Sequence, residues 1–136
     1  MIRLFCRAFI EDKQPLINGD GTTSRDFTFI ENVLHANELA LFTGDSDALN
    51  QVYNVACGDQ VTLNDMVKML QQITGKDIQP LYGPERPGDV KHSLADISKI
   101  QSKLGYRPQV LMQDGMKEVY EWNKMMYMAR QLQEQQ

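Results

Sequence analysis

Two charged turns about sixty residues apart constrain this chain most. The first runs from Asn18 to Phe27 with the sequence NGDGTTSRDF, and the second is Arg86-Pro87-Gly88-Asp89-Val90. Each places one arginine beside glycines or a proline, where the backbone bends sharply and can come close to a ligand. A guanidinium pairs with phosphate oxygens through parallel, charge-assisted hydrogen bonds. Arg25 and Arg86 are therefore candidates to hold a diphosphate.

Each signal also has a simpler structural interpretation when it is taken alone. The Gly19-Asp20-Gly21 sequence can be a tight turn, and Arg25 can be a surface residue paired with Asp26. Arg86 and Asp89 can form an ordinary salt-bridged surface turn. His92 stands without a second histidine or a cysteine nearby, which favours a hydrogen-bonded structural histidine over a catalytic base. Only the order of these features along the chain makes a binding site the better interpretation.

Several classes of site and partner are not expected. The sequence has no G-x-G-x-x-G after a strand, no P-loop and no cluster of metal-ligating residues, so no cofactor loop or metal centre is predicted. A net charge of −4 argues against a nucleic-acid surface. The apolar stretches are too short to cross a bilayer, and the start lacks a signal peptide. Cys6 and Cys57 indicate free thiols in a reducing compartment. We expect a soluble, cytoplasmic protein without a membrane partner.

The pattern of apolar residues and turns predicts an α/β fold of one ordinary domain, 136 residues long. Helices are predicted where apolar residues recur at helical spacing, and strands where short β-prone runs lie between turns. The predicted helices are roughly residues 2–12, a segment capped by Asn32 and stopped by Gly44, a helix from Thr62 to Gly75 whose Thr62 and Asp65 resemble a capping box, and a helix from Asp96 through Leu104 ended by Gly105. A last helix is predicted from about Met112, with Met116, Val119, Tyr120 and Trp122 toward the core. The predicted strands are Leu16-Ile17, Gln51–Ala56 and Pro80–Tyr82.

Three stretches, taken in order, resemble the C-terminal part of the extended short-chain dehydrogenase/reductase (SDR) family of nucleotide-sugar epimerases and dehydratases. Residues 17–30 are similar to its G-D-G…R-D-F-x-Y-V segment, and residues 52–58 to its Y-N-[IVL]-x-x-G segment. Residues 86–108 are similar to its R-x-G-D…D-x-S-K…L-G-Y-x-P ending. The sequences of residues 23–27 and 92–99 are most similar to those of UDP-N-acetylglucosamine 4-epimerases of bacterial polysaccharide biosynthesis.

The resemblance implies a fold and a set of roles. The chain would be the C-terminal, substrate-binding portion of a Rossmann-type extended SDR enzyme, with residues 1–124 binding the nucleotide sugar and 125–136 forming a Met/Gln-rich helical tail. Leu16, Ile17 and Asn18 would lie along the uracil and hydrogen-bond to it through their backbone. Arg25 and Arg86 would clamp the pyrophosphate. Asp89 would accept from ribose hydroxyls or orient Arg86, and Ser93 would lie near the sugar.

The same resemblance implies what the chain does not carry. NAD is the cofactor of the family, but its glycine-rich loop and the catalytic Tyr-x-x-x-Lys have no counterpart at the expected place, so no catalytic residue is assigned. Tyr120 and Lys124 have that spacing but lie downstream of every substrate motif. The family forms homodimers through helices that are expected to be absent here. The chain alone is therefore expected to be inactive. A dehydratase or decarboxylase portion, a non-catalytic binding module and an inert truncated product remain open alternatives.

Overall fold

The computed structural model describes residues 1–134, which divide into two compact units built from alternating segments of the chain. The first unit contains Met1–Thr23, Thr62–Val90 and the segment from Gln113 onward. The second contains Ser24–Val61 and Lys91–Met112. In chain order the elements are α1 (Ile2–Ile10), β1 (Leu16–Asn18), β2 (Ser24–Arg25), α2 (Ile30–Phe42), a 3₁₀ turn (Ser46–Ala48), β3 (Val61–Thr62), α3 (Leu63–Thr74), β4 (Leu81–Gly83), α4 (Ser98–Leu104) and α5 (Met112–Glu134).

The first unit packs helices beside a short parallel sheet. β1 and β4 pair in parallel, with Leu16 opposite Leu81 and Asn18 opposite Gly83. α1 contacts α3, and both helices place an apolar face inward because their apolar residues recur every three or four positions. Lys76 ties α1 to the end of α3 by donating to the Phe9 carbonyl at 2.7 Å. The buried hydrophobic residues of this unit include Phe5, Cys6, Phe9, Ile17, Leu63, Met66, Val67, Leu70, Met116 and Tyr120.

The ends of α3 and α4 follow the predicted local chemistry. Thr62 is the N-cap of α3, because its hydroxyl accepts from the Asp65 amide at 3.0 Å. The Asp65 carboxylate accepts from the Thr62 hydroxyl at 2.6 Å, so these two bonds form only the N-cap half of a capping box. Gly75 and Gly105 end α3 and α4 in the left-handed conformation, at φ +68° and +67°. The Asp96 carboxylate accepts from the first amide of α4, at Ser98, although Ile97 occupies the N-cap position. The predicted Thr62 cap and the two terminal glycines are confirmed, whereas the N-cap of α4 is Ile97 and not the predicted Asp96.

The second unit is organised around Tyr106, which is fully buried and donates from its hydroxyl to the Ala56 carbonyl at 2.9 Å. α2 and α4 pack beside each other, and β2 pairs with β3 while Ser24 forms an isolated parallel bridge to His92. The buried Tyr106 hydroxyl needs a hydrogen-bond partner, and the Ala56 carbonyl is that partner. The core of the unit consists of Ala36, Ala48, Ala56, Ile97, Ile100, Leu104 and Tyr106.

Three predictions about local structure are wrong. Gln51–Ala56 was expected to be a strand, but it has no regular structure, because β propensity is realised only beside a pairing strand and none of the described strands pairs with it. Neither predicted end of α2 is observed, because the helix begins at Ile30, before Asn32, and ends at Phe42 with Thr43 and not Gly44 as its C-cap. Trp122 was expected in the core but is 55% exposed. The helix face that carries Met116 and Tyr120 is the one that is buried.

The proposed tail at 125–136 is part of α5, which runs without a break to Glu134. Its helical character agrees with the prediction up to that residue, and Gln135 and Gln136 lie outside the described residues. Within residues 1–134, no helix combines the length and the apolar character needed to cross a bilayer.

Candidate functional site

β1 presents an open edge. Leu81 donates its amide to the Pro15 carbonyl at 2.9 Å, and Gly19 donates to the Gly83 carbonyl at 2.9 Å. In a parallel ladder the residues that bond to one neighbour alternate with those that do not, so Pro15, Ile17 and Gly19 face β4. The amide and carbonyl groups of Leu16 and Asn18 therefore point to the opposite edge. No described strand pairs with β1 there.

The turn after β1 is held by Asn64, in the first turn of α3. Its amide donates to the Gly21 carbonyl at 3.1 Å, and its side-chain Nδ2 donates to the Asp20 carbonyl at 3.1 Å. Its Oδ1 accepts from the Tyr82 hydroxyl at 2.9 Å. Gly21 has φ +77°, and a Cβ there would collide with the Asn64 carboxamide. Glycine at this position is therefore required both by the backbone conformation and by the close approach of Asn64.

Arg86 begins a type II turn. Pro87 and Gly88 occupy its central positions, Gly88 has φ +83°, and the Asp89 amide donates to the Arg86 carbonyl at 3.2 Å. Both side chains are exposed, and the ion pairs recorded among residues 1–134 do not join Arg86 to Asp89. The simpler interpretation of this segment as a salt-bridged turn is not supported. Proline and glycine fix the turn through the backbone, which leaves the guanidinium available.

The segment before this turn lies against the end of β1. Gly19 approaches Glu85 so closely that an added Cβ would be 3.1 Å from the Glu85 Cγ. Both residues belong to the first unit. The first unit thus brings the open edge of β1, the Gly19–Gly21 turn and the Arg86 segment together.

Arg25 is anchored on backbone carbonyls in the second unit. Its Nη1 donates to the Ser24 carbonyl at 2.8 Å and to the Lys91 carbonyl at 3.4 Å, and the side chain is half-buried. Ser24 is buried, and its hydroxyl is 2.9 Å from the Nδ1 of His92. The structural interpretation of His92 is therefore confirmed. Arg25 keeps further N–H groups for a ligand, because these contacts use only one of its nitrogens.

Asp26 does not pair with Arg25. Its two carboxylate oxygens accept the amides of Cys57 and Gly58, each at 2.9 Å. Burial raises the pKa of the Cys57 thiol, and the negative charge of Asp26 raises it further. A raised thiol pKa means little thiolate at neutral pH, so Cys57 is a poor nucleophile. Asp26 therefore ties the segment after Arg25 to the loop at Cys57 and Gly58.

The predicted binding residues fall into two groups. Leu16, Ile17, Asn18, Arg86 and Asp89 lie in the first unit, and Ile17 is buried while the other four are exposed. Arg25 and Ser93 lie in the second unit, where the amide of Ser93 donates to the Ser24 carbonyl at 3.2 Å.

The described residues do not fit a dinucleotide site. The Gly19–Gly21 turn leads into β2, whereas a Rossmann pyrophosphate site needs a glycine turn that opens a helix. Tyr120 is buried, and burial raises the pKa of its hydroxyl, which is the opposite of what an activated catalytic tyrosine needs. The Tyr120 hydroxyl therefore lacks the lowered pKa that its spacing from Lys124 would otherwise suggest.

Two contributors were missed by the sequence analysis. Asn64 stands between Thr62 and Asp65, so the capping box accounted for its surroundings and hid its contact with the Gly19–Gly21 turn. The Ser24–His92 contact joins residues far apart in sequence, and no local pattern indicates it. The glycine-dense turn was the one available signal for Asn64, because a glycine that cannot be replaced implies a close neighbour.

A family profile, sequence relatives and solved structures all indicate the same family. The profile of the family described as GDP-mannose 4,6 dehydratase matches residues 1–119. A putative UDP-glucose 4-epimerase of Methanocaldococcus jannaschii is 29% identical over 124 residues, which is 91% of this chain and 39% of that protein.

Two solved structures show the same fold at 35% identity. UDP-glucuronic acid 4-epimerase from Bacillus cereus, in complex with UDP-glucuronic acid and NAD, superposes with a TM-score of 0.82 over 92% of this chain and 39% of that one. UDP-N-acetylglucosamine 4-epimerase from Methanobrevibacter ruminantium, in complex with UDP-N-acetylmuramic acid, gives a TM-score of 0.79 over 90% of this chain and 38% of that one.

The chain thus spans about two fifths of the length of the relatives it matches. The expected α/β architecture of an extended SDR enzyme is confirmed, and the solved relatives of that family include structures with bound NAD. This chain belongs to the GDP-mannose 4,6 dehydratase family, within the extended short-chain dehydrogenases/reductases that include the nucleotide-sugar 4-epimerases.

Proposed function

We propose that this chain supplies the nucleotide-diphosphate grip of an NAD-dependent UDP-hexose 4-epimerase. In such an enzyme NAD would supply the hydride chemistry at C4 of the sugar, and the residues of this chain would bind and orient the substrate. The sugar proposed is N-acetylglucosamine.

The open edge of β1 is the observation that supports this proposal most directly. The backbone groups of Leu16 and Asn18 that point away from β4 are one amide and one carbonyl each, which matches the alternating donors and acceptors on the edge of uracil. Asn64 holds the turn that follows by donating to the Asp20 and Gly21 carbonyls. Ile17 is buried and anchors the strand from behind.

Arg86 and Arg25 are proposed to contribute the phosphate contacts. The type II turn fixes the backbone of Arg86, and the carbonyls of Ser24 and Lys91 hold Arg25 in place. Because the Arg25 guanidinium is already positioned, it loses less side-chain entropy when it binds a phosphate. Asp89 is proposed to accept from the ribose hydroxyls, and Ser93 to lie near the sugar.

The choice of N-acetylglucosamine rests on the sequence of residues 23–27 and 92–99 and on the relative whose structure is that of a UDP-N-acetylglucosamine 4-epimerase. Other relatives are described as acting on glucose, glucuronate or rhamnose nucleotides. We also propose that the 136-residue chain alone does not turn over its substrate, since its described residues do not fit a dinucleotide site.

Isothermal titration of the chain with UDP, UDP-N-acetylglucosamine and UDP-glucose tests the grip. Arg25→Ala and Arg86→Ala should each weaken binding by about 10- to 150-fold, because a hydrogen bond to a charged group contributes about 1.5–3 kcal/mol. Arg107→Ala is the matched control, since Arg107 is an exposed arginine outside the candidate site. If either site variant binds UDP as tightly as the wild type, that arginine does not hold the diphosphate.

A further inference from the structure

A groove between α1 and α5 has no part in the proposed UDP-sugar site. It lies within the first unit and encloses a cavity of about 260 Å³. α1 contributes Arg3, Arg7 and Ile10 to its lining. α5 contributes Trp122, Tyr127 and Arg130, together with Asn123, Met126 and Gln131. We call these nine residues the α1–α5 groove.

The groove concentrates positive charge in a chain whose net charge is −4. Three arginines line it, and only Arg7 takes part in an ion pair recorded among the described residues, through its Nε to Glu11 at 2.7 Å. Arg3 and Arg130, together with Arg7, whose charge Glu11 partly compensates, raise the local potential at this small cavity and favour a bound anion. Because guanidinium groups match phosphate oxygens in pairs, a ligand with two or more phosphates would satisfy this wall best.

Besides its arginines, the groove has an aromatic part formed by Trp122 and Tyr127. Trp122 is 55% exposed, although tryptophan is highly buried on average, and the half-buried Tyr127 lines the same groove. An exposed indole face is a stacking platform for a nucleobase, a contact that contributes about 1–3 kcal/mol per base in single-stranded nucleic-acid complexes. An acidic peptide would use the arginines but leave this platform unused.

We propose that the α1–α5 groove binds a mononucleotide, with its phosphates on Arg3, Arg7 and Arg130 and its base on Trp122. The cavity lies just below the volume range of about 300–1,000 Å³ for small-molecule sites, so the ligand is a single nucleotide that stays partly exposed. These residues differ from those proposed for the UDP-sugar, so the two sites are tested independently.

Trp122 is the only tryptophan in the chain, so its fluorescence reports on this groove. Titration of the full chain with ADP at about 0.15 M salt should quench it saturably. Inorganic pyrophosphate and adenosine separate the two contributions, and each should bind at least about tenfold more weakly than ADP. An acidic peptide of glutamates serves as the competing ligand class, and it should bind more weakly than ADP.

Arg3→Gln and Arg130→Gln should each weaken ADP binding about tenfold or more, whereas Arg107→Gln should not change it. Arg25→Ala with Arg86→Ala should leave the Trp122 signal intact even where it abolishes UDP-sugar binding. Absence of ADP quenching, equal binding of the acidic peptide, or unchanged binding in Arg3→Gln and Arg130→Gln would each overturn the proposal. The comparison of wild-type titrations with ADP, pyrophosphate and adenosine decides the matter even if a variant fails to fold.

Discussion

Replacing Asn32 by alanine should destabilise the second unit far more than an alanine substitution at an exposed helix position would. Asn32 is fully buried, and its Oδ1 accepts the amides of Gln109 and Val110 at 2.8 and 3.0 Å. Its Nδ2 donates to the Val110 carbonyl at 2.7 Å and approaches the Cys57 Sγ at 3.5 Å. One side chain thus satisfies three backbone groups of the segment that leads into α5.

The magnitude follows from those three groups. A buried polar group left without a partner costs about 1–3 kcal/mol, and Gln109 is exposed enough for water to replace part of the loss. We therefore take about 1 kcal/mol for each group. Alanine improves the intrinsic helix propensity at this position by up to about 0.7 kcal/mol. The expected net loss is about 2–3 kcal/mol, a large part of the stability of an ordinary domain.

Equilibrium urea unfolding followed by circular dichroism measures this loss. With a denaturant slope of about 1–3 kcal/mol/M, the midpoint should fall by about 1–2 M. Asn37→Ala is the matched control on the same helix, because Asn37 is exposed and its side chain bonds only to the Val33 carbonyl one turn earlier. It should change stability by less than about 0.5 kcal/mol. Equal shifts for the two variants would refute the reasoning that the Asn32 contacts stabilise the fold.

The thiols and the acidic residues give two further predictions. Burial raises the pKa of the Cys6 thiol to about 11 and also raises the pKa of the Cys57 thiol. At pH 8, Ellman's reagent should therefore modify Cys6 only on unfolding and Cys57 more slowly than a free cysteine. Modification rates equal to that of a free thiol would contradict the buried geometry. The Thr62 hydroxyl lowers the pKa of Asp65 below its ordinary value of 3.8. The stability that the ionised Asp65 contributes is therefore complete at neutral pH and is lost as pH falls through the folded-state pKa. Asp65→Asn should make the fall in stability at acid pH shallower, and an unchanged fall would count against this role of Asp65.

Local chemistry predicted the parts of the fold that depend on neighbouring residues. Thr62 and Asp65 cap α3, Gly75 and Gly105 end helices, and Pro87-Gly88 makes a turn. These outcomes depend on φ angles and on hydrogen bonds that span two to four residues, so the sequence contains all the information they need. The family resemblance was likewise carried by short motifs whose order is visible in the sequence.

Distant partners could not be predicted in this way. The Gln51–Ala56 segment has the composition of a strand but no described strand beside it, and Asn32 looked like a cap although it bonds to Gln109 and Val110. Asp26 follows Arg25 directly, which suggested an ion pair, but its carboxylate accepts two amides about thirty residues later. A polar side chain pairs with whichever group tertiary packing buries beside it, and that group need not be close in sequence.

The sequence by itself therefore determined the Pro87-Gly88 turn, the start of α3, the glycine ends of α3 and α4, the family and the two arginines as candidates for phosphate binding. Only the tertiary structure decided that Leu16 and Asn18 turn their backbone groups to an open edge, that Asn64 holds the Gly19–Gly21 turn, and that Arg3, Arg7 and Arg130 surround one groove. The physical reason is the range of the interactions. Backbone conformation is set within a few residues, whereas the direction of a strand edge and the grouping of charges depend on which segments pack together.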